Sequence, residues 1–175
     1  MPFFCRCDHW AIAIIVMENE MKLVEIGQDG HLPEVITLDD HLRMVVEMTV
    51  GHFEKVGFVP PWVGYIAIED SVPVGTCAFK TPPVDGRVEI AYGTMPGFER
   101  QGVATSMARK LVQIAHQKDE SVTVFAQTLP EENASTSILK KLGFQMVRTV
   151  DHPEDGMVWE WELPAYVPLS GSLGC

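Results

Sequence analysis

Hydrophobic and polar positions along this chain switch between a period of two and a helical period, and the switches mark out an ordered series of elements. Met21-Lys22-Leu23-Val24-Glu25-Ile26 alternates and predicts a strand ending at Gly27. Leu42, Val45, Val46, Thr49 and Phe53 then recur at helical spacing. Thr37 is expected to be that helix's N-cap, Asp39 and Asp40 fall in its first turn, and Pro60-Pro61 closes the region. Strands are predicted at Val63–Glu69, Val74–Lys80 and Arg87–Met95, joined by the turns Asp70-Ser71-Val72-Pro73 and Pro82-Pro83-Val84-Asp85-Gly86. Short turns of that kind predict an antiparallel meander. After Pro96-Gly97 the period changes: Val103, Met107, Leu111, Ile114 and Ala115 form one face of a helix running to about Lys118. The strand Ser121–Gln127 makes that helix a crossover between neighbouring strands. A short helix from Asn133 ends at Gly143, and strands Gln145–Val150 and Met157–Leu163 flank an Asp151–Gly156 turn. The result is an α/β (α+β) chain.

Length and composition narrow this further. With 175 residues, 46% hydrophobic and 21% charged, the chain is expected to form one domain with its own core. The domain is expected over 21–163, with an extension at 1–20 and a Pro-, Gly- and Ser-rich tail at 164–175. The apolar run Trp10–Met17 follows Arg6 in the manner of a signal peptide. Its length of about eight residues, the adjacent Asp8 and the lack of a small-residue cleavage site argue instead for an extension, with Met21 as a possible natural start. No segment reaches the ~18 continuous apolar residues of a membrane span, so no membrane partner is expected. The net charge of −11 argues against nucleic acid, which normally draws on a basic face. It suits a cationic amine substrate, although an acidic surface also serves solubility alone. Cys5, Cys7, Cys77 and Cys175 are too scattered for a disulfide framework, so a cytoplasmic location is expected. Cys5, Cys7 and His9 match no standard zinc spacing, and no metal is expected.

The chemistry concentrates at the junction after the Arg87–Met95 strand. There the chain passes through Pro96-Gly97-Phe98-Glu99-Arg100-Gln101 into a helix beginning near Gly102. A helix N-terminus presents free N–H groups and the positive end of the dipole, which suits phosphate. Gly102 permits close approach, Ala104 is small, and Arg100 adds a charge suited to a phosphate. Gly102 equally suits a tight turn, and Ala104 equally suits packing on a strand, so local features leave both readings open. The junction is neither a P-loop nor a dinucleotide fingerprint, because Gly-Lys-Ser/Thr and the three spaced glycines are missing.

The run Pro96-Gly97-Phe98-Glu99-Arg100-Gln101-Gly102-Val103-Ala104-Thr105 resembles the acetyl-CoA motif of the GCN5-related N-acetyltransferase (GNAT) superfamily: Gln or Arg, two residues, Gly, one residue, Gly or Ala. Thr128-Leu129-Pro130-Glu131-Glu132-Asn133-Ala134-Ser135-Thr136, followed by Leu139-Lys140-Lys141-Leu142-Gly143-Phe144, is similar to the Asn-Ala-Ser … Lys-x-Gly-Phe segment of the branch typified by ribosomal-protein alanine acetyltransferases. Asp155–Leu163 fits that branch's closing hairpin. The resemblance spans roughly 21–163. It implies a mixed, mostly antiparallel sheet of about seven strands flanked by about four helices. It also implies acetyl-CoA as cosubstrate, no metal, and a small-molecule or peptide amine as acceptor, with a homodimer as a common assembly.

It further implies roles for residues. Backbone groups at Thr94 would pair with the pantetheine arm. Arg100, Gln101, Gly102, Val103, Ala104 and Thr105 would hold the pyrophosphate, and Asn133 would touch the cofactor. Glu99 departs from the motif by placing a carboxylate where Gln or Arg is usual. The phosphates are therefore expected to rest on backbone N–H groups, with Glu99 turned away. Glu89 matches a strand position that carries a catalytic base in several members; its alternative is a carboxylate paired with Arg87. Leu139 stands where many members place a Tyr acid. Ser135 matches the Ser that replaces that Tyr in the branch, and its alternative is helix capping. Tyr92, Trp62 and Tyr65 are candidates for the acceptor pocket, with ordinary packing as the alternative. Other acyl-CoA donors, such as succinyl-CoA, and a non-catalytic acyl-CoA-binding module are the rival functions.

Overall fold

A computed structural model describes residues 21–34 and 36–164. The extension at 1–20, with Cys5, Cys7 and His9, and the tail from 165 lie outside the described residues. The elements are β1 (Lys22–Glu25), α1 (Asp40–Val56), β2 (Gly64–Glu69), β3 (Val72–Phe79), β4 (Arg87–Thr94), α2 (Val103–Lys118), β5 (Thr123–Thr128), α3 (Ala134–Lys141), β6 (Gln145–His152) and β7 (Gly156–Glu162). Among the described residues the sheet has seven strands and is flanked by three helices, one fewer than expected.

The strand order is β1-β2-β3-β4-β5-β7-β6. The meander β2-β3-β4 is antiparallel, β1 adds to its edge, and β6 and β7 form a closing hairpin. Among the described strands only β4 and β5 run parallel, because α2 carries the chain back across the sheet between them. The helix starts where its cap chemistry puts it. For α1 the cap is Asp39 rather than Thr37, since the Asp39 carboxylate accepts the Leu42 N–H at 2.8 Å. Gly57 ends the helix before the prolines are reached.

The strand register allows each face to be followed across the sheet. Gly64, Ala78 and Ala91 are cross-strand neighbours on one face. A Cβ on Gly64 would meet Thr49 of α1 at 2.8 Å, so α1 packs on this face. Gly75 and Thr94 share the opposite face, where a Cβ on Gly75 would meet Met107 of α2 at 2.7 Å. The Val88–Val124 pair carries this second face over to β5, and Trp161 continues it beside Ala126. Lys140 of α3 lies over the Trp161 ring, so α2 and α3 share a face. The fully buried Met107, Leu111, Val88, Val124 and Leu139 form the core between the helices and this face.

Past the end of α1, the other face carries one buried carboxylate. Glu160 on β7 is only 3% exposed. It accepts from Arg87 on β4 at 2.8 Å and from Gln127 on β5 at 3.3 Å, and it pairs with Arg148 on β6 at 2.7 Å. Arg87 also pairs with Glu162 and lies 4.4 Å over the Phe125 ring. Burial works to raise the Glu160 pKa. The hydrogen bonds from Arg87 and Gln127, with the charges of Arg87 and Arg148, outweigh it and hold the carboxyl below its ordinary value.

A depressed folded-state pKa means that the unfolded chain binds the proton more readily. The stabilisation is therefore complete above the ordinary Glu value of about 4.3 and is lost as pH falls through the folded value. Glu160→Gln is expected to lower the unfolding free energy by about 2 kcal/mol at neutral pH. The gap to the parent protein should close in acid, as read by denaturant titrations at pH 7 and pH 3.

Candidate functional site

The parallel ladder stops early. Its register runs through Arg87–Thr123 and Val88–Val124 and ends at Glu89–Phe125. Beyond that rung β4 pairs only with β3, and β5 pairs only with β7. The sheet therefore opens into a cleft between the two strands. The edges of that cleft are set by hydrogen-bond alternation. The Glu89 C=O accepts the Lys80 N–H at 3.0 Å, and the Met95 N–H donates to the Val74 C=O at 2.9 Å. Odd-numbered positions of β4 thus turn their main chain toward β3, and Tyr92 and Thr94 turn theirs into the cleft. On the far side the Leu163 N–H donates to the Val124 C=O at 2.9 Å, which turns the Gln127 main chain into the cleft from β5. An extended chain lying between them would find strand-like donors and acceptors.

Two helices begin at the same end of this cleft, because α2 follows β4 and α3 follows β5, at the carboxyl ends of a parallel pair. The three helix starts differ. Asp39 caps α1. On α3, Asn133 Oδ1 accepts the Thr136 N–H at 3.1 Å while Thr136 Oγ1 accepts the Asn133 N–H at 2.9 Å. No side chain caps α2, and its first turn holds no acidic residue. The first bond there runs from the Ser106 N–H to the Gly102 C=O at 2.9 Å, which leaves the N–H groups of Val103, Ala104 and Thr105 without a partner among the described residues. Gly102 is left-handed at φ 85°, and a Cβ there would meet nothing within 4 Å. Gly97 and Arg100 also have positive φ, at 90° and 63°. The geometry is that of an anion site.

The loop before it turns two of its polar side chains back on itself. The Glu99 carboxylate accepts the Gly97 N–H at 2.8 Å, and the Gln101 side-chain amide donates to the Gly97 C=O at 3.0 Å. Arg100 is exposed beside them.

Glu89 stands on the last rung of the ladder, 14% exposed, with its carboxylate 2.6 Å from Lys80 Nζ. Its partner is therefore Lys80 and not Arg87, which is engaged by Glu160 and Glu162. Ser135 lies half-buried in the first turn of α3, and its hydroxyl is bonded to none of the described residues. The capping that the sequence allowed for Ser135 is carried out by Asn133 and Thr136. Leu139 is fully buried and faces the core. Tyr92 puts its side chain on the α2–α3 face, where burial pushes the phenol up to about 12 and keeps it neutral. Tyr65 and Trp62 are core residues. The Tyr65 hydroxyl donates to the Pro61 C=O at 2.6 Å, and burial first, then Glu25 and Cys77, raises its pKa. The Trp62 ring stands edge-on to Phe79, 5.0 Å between centres. Cys77 is buried, which pushes its thiol up to about 12 and leaves it inert as a nucleophile.

The structure thus brings Glu89, Tyr92, Thr94, the loop from Arg100 to Thr105, Asn133 and Ser135 around one cleft. It packs Trp62 into the core and turns the Tyr65 hydroxyl onto the backbone. Sequence reasoning missed Lys80 and Gly93. The second had a signal, since a glycine inside a strand marks a close approach or an open space. Among the described residues no His, Cys, Asp and Glu cluster could hold a metal, and no helix is long and apolar enough to cross a membrane.

Known proteins give a consistent comparison. A family model described as the acetyltransferase (GNAT) domain matches residues 13–145. Among solved structures, the ribosomal L7/L12 alpha-N-protein acetyltransferase RimL in a ligand-free form superposes with a TM-score of 0.62 at 12% identity, over 83% of this chain and 94% of that one. Its coenzyme A complex gives 0.56 at 14% identity, over 72% of each chain. The aminoglycoside acetyltransferase AAC(6')-Ib with coenzyme A gives 0.50 at 21% identity, over 57% of this chain and 64% of that one. At these identities the superpositions speak for the fold. No curated protein matches the chain.

The two α3 residues should separate in a stability measurement. Asn133→Ala removes a cap and is expected to cost about 1 kcal/mol. Ser135→Ala removes no bond and should leave the thermal midpoint where it is.

Proposed function

From the premise that the chain belongs to the acetyltransferase (GNAT) domain family, we propose that it moves an acetyl group from acetyl-CoA to a primary amine, on a protein N-terminus or a small molecule. The observation that carries the cofactor assignment is the bare N-terminus of α2. Of the three helices among the described residues it alone has no side-chain cap, and it opens behind a left-handed Gly102 beside the end of the cleft.

The residues fit such a donor. The N–H groups of Val103, Ala104 and Thr105 hold the pyrophosphate, with Arg100 adding charge and Gln101 and Gly102 shaping the turn. Glu99 does not oppose this, because its carboxylate is bonded to Gly97. The main chain of Tyr92 and Thr94 receives the pantetheine arm as an added strand would be received. Bound there, acetyl-CoA supplies the activated acetyl group.

The chain's own residues then manage protons. An aliphatic amine with a pKa of about 10 is mostly protonated at pH 7. Glu89, at the closed end of the cleft, takes its proton through a water and frees the nitrogen lone pair. Lys80 holds that carboxylate in place. Ser135, with its hydroxyl uncommitted, donates a hydrogen bond to the departing sulfur, the task that Leu139 cannot perform. Asn133 holds the α3 turn that aims Ser135. The neutral Tyr92 phenol is available as a donor on the cofactor side.

The test is thiol release from acetyl-CoA across an amine panel. Turnover is expected to rise with pH as more of the amine is deprotonated. Glu89→Gln should lower kcat by about 100-fold with acetyl-CoA affinity kept. Ser135→Ala should lower kcat without affecting stability. Glu99→Gln should leave acetyl-CoA affinity little changed. Tight cofactor binding with no turnover on any amine would favour a non-catalytic acyl-CoA-binding module. No binding of acetyl-CoA would overturn the proposal.

A further inference from the structure

On the α1 side of the sheet, against β4, lies a cavity of about 190 Å³. It is separate from the larger hollow between Met21–Leu23 and α2, which shares none of its residues. Its walls are Ile26, Val45 and Thr49 on one side and the small residues Gly64, Ala78 and Ala91 on the other. The last three are direct cross-strand neighbours on β2, β3 and β4, so they form one smooth floor. Tyr65, Cys77 and Tyr92 also border the cavity, but strand alternation points their side chains to the opposite face, so they offer main chain. Among the described residues no carboxylate, ammonium, guanidinium or imidazole lines it. The Thr49 hydroxyl is already spent on the Val45 C=O at 2.8 Å, and Thr76, on the same face of β3 as Ala78 and opposite Gly93, brings one hydroxyl to the outer end of an otherwise apolar lining.

The floor leads to the reaction centre. Glu89, Ala91 and Gly93 are successive same-face positions of β4, so the cavity and Glu89 share one row of side chains. At its outer end Gly93 is exposed, and a Cβ there would meet nothing within 4 Å. The contrast with Gly64 and Gly75 is informative, because those two glycines are filled by Thr49 and Met107. The space over Gly93 is unfilled and open to an entering group.

We propose that this cavity is the acceptor subsite, and that it takes an uncharged apolar group, so the acceptor is a primary amine bearing one aliphatic or aromatic side group. The inference rests on the amine-acetyltransferase reading above and specifies its substrate class. Size supports it: an apolar cavity of about 150 Å³ accommodates benzene, and this one is somewhat larger. Chemistry supports it as well. A polycation such as a polyamine or an aminoglycoside would leave charges facing a wall whose described residues include no carboxylate, at a steep desolvation cost. The same group is presented by a free arylalkylamine and by a peptide whose first residue is Leu or Phe.

The test compares phenethylamine, a Phe-initiated tripeptide, spermidine and an aminoglycoside. Each is titrated into the coenzyme A-bound protein by calorimetry and assayed for acetylation with acetyl-CoA. Phenethylamine or the peptide is expected to bind saturably and the two polycations not to, and whichever of the first two is tighter identifies the natural source of the group. Gly93→Val builds a side chain into the open space and should weaken apolar-amine binding about 10-fold or more, with coenzyme A affinity and thermal midpoint unchanged. Val45→Ala enlarges the cavity and should shift preference toward a naphthyl amine. Preferred binding of spermidine or the aminoglycoside would overturn the inference. So would a folded Gly93→Val protein with unchanged apolar-amine affinity. Because binding is read apart from turnover, saturable apolar-amine binding without acetylation would sink the catalytic reading and leave this subsite standing.

Discussion

The parallel pairing of β4 with β5 reaches only as far as Glu89–Phe125, and the rest of the site depends on where it stops. A sheet that stayed zipped would bury the main chain of Tyr92, Thr94 and Gln127 in ladder bonds. Because it does not, those groups border a cleft. The closed end is held by several strands at once. Arg87 reaches from β4 over Phe125 on β5 and on to Glu160 on β7, while Gln127 and Arg148 reach the same carboxylate from β5 and β6. A buried carboxylate is tolerable only when its charge is so fully answered. Here the answering groups come from each strand that flanks the opening.

Two faces divide the work in the proposed reaction. On one, α2 and α3 start side by side at the carboxyl ends of the parallel pair, and the uncapped N-terminus of α2 favours negative charge through free N–H groups and aligned peptide dipoles. On the other, α1 leaves an apolar recess against the small residues of β2, β3 and β4. The cleft connects the faces. In that reaction donor and acceptor would approach from opposite sides and meet near Glu89, and neither would have to displace the other.

The loop 97–102 explains how an acidic residue survives beside an anion site. Glu99 and Gln101 both bond Gly97, the first to its N–H and the second to its C=O. The carboxylate thereby fixes the loop's shape and is not directed over the N-terminus of α2. Positive φ at Gly97, Arg100 and Gly102 keeps the chain turning in the sense that exposes successive N–H groups. The uncapped start of α2 stands out because α1 and α3 show that this chain caps helices with side chains elsewhere.

Much of this was legible in the order of residues. Local periodicity placed each strand and helix of the described region to within a few residues, because alternation and helical spacing are properties of neighbours in the chain. The helix-start junction at Gly102 and the Asn133 turn were readable for the same reason. Boundaries set by competing caps were less so: Thr37 and Asp39 are both good N-caps, and only the bond to Leu42 chose between them. Short turns and the helical crossover made the β2-β3-β4-β5 neighbours and the β6–β7 hairpin legible, but the place of β7 between β5 and β6 and the end of the β4–β5 ladder were not, nor were the links of Glu89 to Lys80 and Glu160 to Arg87. Each of these joins groups that meet only after the strands have been laid side by side. The same holds for Trp62 and Tyr65, whose aromatic rings suited a substrate wall equally well until packing against Phe79 and the Pro61 carbonyl committed them to the core. Sequence alone determined which elements form and which backbone turn suits an anion. Tertiary structure decided which side chains face each other, because that depends on register and face, quantities that no local pattern carries.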